Sequence, residues 1–183
     1  LGKLKVPASE NAYAALDLKI TDEPTELLVL PHFAGAATPY MDTGSKAAIL
    51  GLTLETTEFD IYKALMEGVT YEILLNIERL ESMGIRIDIL RATGGGAKSK
   101  KWLQIKADIL NRPIIRLDAK EAGAAGTVML TGIATNVFNN LETARKMLVK
   151  EKEIYYPRED MSRKYSILYE KYKEIYHAVR RFF

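Results

Sequence analysis

Ile85-Arg86-Ile87-Asp88-Ile89-Leu90-Arg91-Ala92-Thr93-Gly94-Gly95-Gly96-Ala97-Lys98-Ser99-Lys100-Lys101-Trp102 is the stretch on which the fold turns. Its first third, residues 85–90, runs apolar in the manner of a parallel-sheet strand. Residues 99–111 then follow a helical period, with Trp102, Leu103, Lys106, Ala107 and Leu110 on one stripe. Arg112-Pro113 ends that helix, because a residue before proline is pushed out of the helical region, and Ile114-Ile115-Arg116-Leu117 reads as the next strand. The unit is strand, glycine turn, helix, strand.

Outward from this unit the same alternation continues. Upstream, residues 57–80 carry the longest helical pattern: Thr57 as cap, Asp60 in the first turn, Ile61, Ala64, Leu65, Gly68, Val69, Ile73, Ile77 and Leu80 on one face, and Gly84 as the stop. Residues 11–18 suit a short helix, residues 26–30 a buried strand stopped by Pro31, residues 33–45 a loop, and residues 46–52 a second apolar strand. Downstream, helices are expected over residues 121–135 and 141–149, an extended piece at 153–156, and a long last helix from about Ser162. Strands alternating with helices imply an α/β layer fold with a largely parallel sheet and right-handed crossovers.

Bulk composition narrows the classes. A chain of 183 residues suits one domain with a real core. Its 48% hydrophobic and 27% charged residues are those of an ordinary globular protein, so disorder and fibres are disfavoured. A net charge of +2, with scattered basic residues, argues against a nucleic-acid footprint. No apolar run approaches a bilayer span, so no membrane association is expected. The absence of cysteine excludes disulfides and thiolate chemistry and suits a reducing compartment, with the cytoplasm as the expected location. The first residue is Leu1 rather than Met, which suggests a piece of a longer chain.

The glycine run is the sharpest chemical feature. Three residues without Cβ let a ligand approach the backbone, and the following helix N-terminus favours negative charge. The run is neither a dinucleotide fingerprint nor a phosphate loop ending in Gly-Lys-Ser/Thr, so by spacing alone it serves equally as a ligand loop or a structural turn. Lys98, Lys100 and Lys101 in the next helix's first turn oppose its dipole unless an anion is near; three surface lysines without a role are the alternative. His32 and His177 read as ordinary histidines, and Tyr165, Tyr169, Tyr172 and Tyr176 as the core stripe of the last helix. Asp60, Glu67, Asp108 and Glu121 show no acid–base pairing, and no self-contained catalytic constellation is present.

From Gly94-Gly95-Gly96-Ala97-Lys98-Ser99 through Trp102-Leu103-Gln104 to Ala107-Asp108-Ile109-Leu110 the chain resembles the C-terminal signature of the FGGY carbohydrate kinases. Leu30-Pro31 with Gly35-Ala36-Ala37-Thr38-Pro39, Gly51-Leu52-Thr53-Leu54, Ala64-Leu65-Met66-Glu67-Gly68 and Glu121-Ala122-Gly123-Ala124-Ala125-Gly126 match further family stretches in order. The resemblance implies an actin-like ATPase (ribonuclease-H-like) domain, incomplete at its N-terminal end. Residues 1–183 would be the C-terminal FGGY domain, with the N-terminal sugar-binding domain and an opening hairpin absent. It implies ATP on Gly94, Gly95, Gly96, Ala97 and Ser99, Mg2+ on the phosphates, and transfer of the γ-phosphoryl group to a sugar or polyol hydroxyl. The family's catalytic base is an Asp of the first domain, so the isolated chain is expected to be inactive. Two departures touch the sugar class: the family's Gly-Glu-Arg is Gly35-Ala36-Ala37, and its His before the long helix is replaced around Thr56-Thr57. A non-catalytic actin-like nucleotide-binding or assembly module is the alternative, and a homodimer covering an exposed sheet edge is a further expectation.

Overall fold

The computed structural model describes residues 12–118 and 122–183. A short helix α1 (Ala12–Asp17) leads to β1 (Leu28–Leu30), which pairs antiparallel with β2 (Ala48–Leu50). The long helix α2 (Glu58–Ser82) follows, then β3 (Leu90–Ala92), a 3-10 turn at Gly95–Ala97, α3 (Lys100–Leu110) and β4 (Ile114–Leu117). A helical pair, α4 (Ala122–Ala134) and α5 (Leu141–Leu148), precedes β5 (Glu151–Tyr155), and α6 (Glu159–Val179) closes the chain.

Local chemistry sets these bounds. Thr57 and Asp60 form a reciprocal capping box at the head of α2: Thr57 N donates to Asp60 Oδ2 (2.9 Å), and Asp60 N donates to Thr57 Oγ1 (3.3 Å). At its tail Gly84 takes φ +86°, and Ile85 N and Gly84 N donate back to Leu80 O and Glu81 O, closing the helix as a Schellman motif. The expected strand over residues 85–90 is displaced to Leu90–Ala92. Its parallel partner begins at Ile114, after a proline that has no N–H to give, so the ladder cannot run further back. Arg112 Nε holds the preceding segment instead, donating to Ile87 O at 2.7 Å.

The sheet is not largely parallel. Its order is β3-β4-β5; β3 and β4 run parallel, but β4 and β5 run antiparallel. The helical pair brings the chain back to the end of β4 that it left, where Asp118 N donates to Lys150 O (2.8 Å), so β5 has to run the other way. The last helix begins at Glu159, three residues before the expected Ser162, with Glu159 and Asp160 complementing its dipole.

The core lies between α2, α3 and α6, where Tyr71, Leu75, Leu103, Ala107, Leu110, Tyr165, Tyr169 and Tyr172 are buried. Each large side chain so buried contributes about 1.5–3 kcal/mol. The tyrosine stripe of α6 is therefore core: the Tyr71 and Tyr172 rings lie 5.0 Å apart, while the hydroxyls of Tyr165, Tyr169, Tyr172 and Tyr176 reach carboxylates. β1 packs on α2 through Gly68, where a Cβ would stand 2.3 Å from Val29 O. Among the described residues no helix is long and apolar enough to cross a membrane.

Candidate functional site

A cleft of about 960 Å³ opens between α1, the first half of α2 and the glycine turn. Leu16 and Asp17 form one edge, Ile61, Leu65 and Val69 the wall on α2, and Gly95, Gly96, Lys98, Ser99 and Trp102 the opposite side. Ala64 and Gly68 are buried against β1, while Ile61, Leu65 and Val69 are half-buried and line the cleft.

The turn is built so that its backbone is bare. Gly94 sits at φ +79°, and nothing lies within 4 Å of where a Cβ on Gly94 or Gly95 would be. Ala97 N and Lys98 N close the turn on Gly94 O and Gly95 O. The N–H groups of Gly95 and Gly96 meet no acceptor among the described residues. Ser99 lines the cleft and caps α3, its Oγ accepting from Trp102 N at 2.9 Å, which leaves its hydroxyl proton free to donate. The structure thus brings Gly95, Gly96 and Ser99 to the cleft. Gly94 stands open at the start of the turn, and the Ala97 methyl is buried in the core.

The three lysines separate by their partners. Lys100 pairs with Glu153 (2.8 Å) and Lys101 with Asp22 (2.7 Å), so both are neutralised. Lys98 has no carboxylate within reach among the described residues, and it lines the cleft. Asp17 and Glu58 stand in the same cleft, and Asp17 accepts from Tyr62 OH at 3.0 Å. Burial, and then that carboxylate, push the Tyr62 phenol up, so it stays a donor.

Four of the other polar side chains singled out by sequence, Asp60, Glu67, Asp108 and His32, are spent on structure. Asp60 caps α2. Glu67 is fully buried, accepting from Thr25 Oγ1 (2.5 Å) and Tyr165 OH (2.8 Å) and pairing with Lys63 (3.6 Å); burial still raises its pKa. Asp108 accepts from Arg158 N (2.8 Å) and Nη2 (2.8 Å). His32 is buried between Ser45 Oγ (2.7 Å) and Glu72 Oε1 (3.3 Å), a fastening of the 33–45 loop to α2. Glu121 lies outside the described residues. Sequence reasoning did not select Asp17, Tyr62 or Trp102 for this site. The one available signal was the place of Trp102 in the signature stretch; Asp17 and Tyr62 carry none.

Comparison with known proteins agrees with this architecture. The model of the FGGY family of carbohydrate kinases, C-terminal domain, matches residues 3–135. A xylulose kinase of Bacillus subtilis (strain 168) is 31% identical over 150 residues, covering 82% of this chain and 30% of its own length. The solved xylulose kinase from Rhodospirillum rubrum superposes with a TM-score of 0.82 at 26% identity, over 96% of this chain and 36% of that one. A glycerol kinase of Plasmodium falciparum, solved with ADP, gives 0.73 at 26% identity, over 93% of this chain and 34% of that one. The chain spans about 30% of the length of the curated relatives it matches. It has the fold of these kinases, and it belongs to the FGGY family of carbohydrate kinases through that family's C-terminal domain.

Proposed function

We propose that this chain is the nucleotide half of a carbohydrate kinase that transfers the γ-phosphoryl group of ATP to a sugar or polyol hydroxyl in the cytoplasm. The observation that carries the proposal is the glycine turn of a kinase family forming one side of a cleft near the upper end of ordinary ligand-pocket size, about 300–1,000 Å³. The glycerol kinase solved with ADP shares this fold. Gly94, Gly95, Gly96, Ala97 and Ser99 hold the nucleotide. The bare backbone of the first three lets it approach, Ala97 anchors the turn in the core, and Ser99 donates its free proton.

The cleft's charges decide which end of ATP it takes. One lysine faces two carboxylates between apolar walls, which suits a base and ribose better than a polyphosphate. The phosphates then extend toward a sugar-binding domain outside residues 1–183, where the base that deprotonates the sugar hydroxyl resides. Mg2+ travels with the phosphates. The described residues contain no group of three or more His, Asp or Glu that could cage it. The exposed face of α4 supports a missing half: the helix carries no charged residue, yet Val128 and Leu130 are 51% and 67% exposed. A second copy of the chain is the competing occupant of that face, and scattering separates the two.

The test combines this chain with the separately expressed sugar-binding domain of its kinase and follows ADP release with xylulose, gluconate or glycerol as acceptor. Phosphorylation on recombination only, with none from the chain alone, is the expected result. Nucleotide binding without phosphorylation in either condition would sink the proposal.

A further inference from the structure

Trp102 is the only tryptophan of the chain, and it is tied at every side. Its indole Nε1–H is shared between Met66 O (3.1 Å) and Thr70 Oγ1 (3.2 Å) on α2. Its backbone N–H donates to Ser99 Oγ at the head of α3. A Cβ on Gly96 would stand 3.0 Å from its Cζ3 and 3.3 Å from its Cε3, so glycine is the residue that fits against the ring. Lys106 Nζ lies 4.0 Å from the ring centroid and 3.4 Å from that same Cβ position, and it has no carboxylate partner among the described residues. The turn, the indole and the ammonium therefore meet at one point.

We propose that Trp102 is a positioning residue: its indole sets the separation between the glycine turn and α2, and with it the width of the cleft. The inference rests on the nucleotide reading of that cleft. A rigid bicyclic ring with only two side-chain torsions, fixed in orientation by its bond to α2, acts as a spacer that a flexible aliphatic side chain could not replace. The turn has two backbone bonds of its own, from Ala97 N and Lys98 N, and its buried Ala97 methyl, while Gly94 and Gly95 stand open, so the indole against Gly96 is the contact that holds the turn on the side facing α2. Displacement of a binding loop by even about 1 Å is costly to the ligand geometry it supports.

The experiment uses the 183-residue chain with ATP as the probe. Trp102→Phe keeps a ring against Gly96 and removes the Nε1–H; Gly96→Ala drives a methyl into the indole. Ile175→Val, a core change in α6 remote from the cleft, controls for stability alone. Calorimetric titration is expected to show ATP binding weakened about tenfold in Trp102→Phe, the size of one lost fixed hydrogen bond, and at least as much in Gly96→Ala. Hydrogen exchange at the Ala97 and Lys98 amides is expected to quicken in both variants, with Ile175→Val unchanged on both readouts. Wild-type ATP affinity and wild-type exchange in Trp102→Phe would overturn the inference. If the wild-type chain binds no ATP at all, the nucleotide reading falls; the exchange measurement, which needs no ligand, then decides the positioning role by itself.

Discussion

Glu67 shows how much one buried side chain can hold. Its carboxylate gathers the Thr25 backbone and hydroxyl, the Tyr165 phenol and the Lys63 ammonium, joining the segment before β1 to α2 and α6. Lys63 in turn donates to Glu23 O. Removing one partner of such a pair strands the other, so Lys63→Met is expected to cost about 3 kcal/mol in urea unfolding. The two neighbouring phenols should behave oppositely. Tyr71 OH is buried with no hydrogen-bond partner among the described residues, so Tyr71→Phe is expected to be neutral or to stabilise by up to about 1 kcal/mol. Tyr165→Phe takes a donor from Glu67 and is expected to destabilise by about 2 kcal/mol. Gly68→Ala, which thrusts a methyl against Val29 O, is expected to cost about 3 kcal/mol. Gly68 and Tyr165 read as packing positions in the sequence, but the buried Lys63–Glu67 pair has no such signal: a Lys and a Glu four apart on a helix ordinarily read as a solvated pair, and only the packing of neighbouring elements around them makes them core.

At the level of elements, Glu153 fastens β5 to its surroundings, accepting from Lys100 at the head of α3, from Tyr155 and from Arg116 on β4. The Lys100 hydrogen bond leads the causes that lower its pKa from 4.5 to about 2. A carboxylate held down in the folded state contributes stability that is present above its unfolded value and is lost as pH falls toward the folded one. Wild type is therefore expected to lose stability between about pH 4.5 and 2 in a way that Glu153→Gln does not, as read by denaturation at a series of pH values. The helices were the legible elements. Thr57, Gly84 and Pro113 mark ends by their own stereochemistry, and those signals sit in the sequence itself. The strands were less legible. Residues 85–90 have strand composition, but strand pairing depends on what the partner offers, and the partner starts at Ile114 behind a proline. The antiparallel direction of β5 likewise follows from where α4 and α5 return the chain, a fact of tertiary arrangement.

For the whole molecule, family membership was written in the glycine signature and the ordered stretches around it, and the match over residues 3–135 bears it out. The cleft was half legible. Gly95, Gly96 and Ser99 could be named from their motif, whereas Asp17 and Tyr62 reach the cleft from separate elements, and Trp102, though it stands in the same motif, reads in sequence only as a packing position of its helix. Whether the cleft takes ATP is read by equilibrium titration of ATP into the chain, followed by calorimetry. Saturable binding at one site per chain is expected, weakened when Gly96 is replaced by Ala. The absence of saturable ATP binding, or binding indifferent to that methyl, would rule out a nucleotide site on the glycine turn.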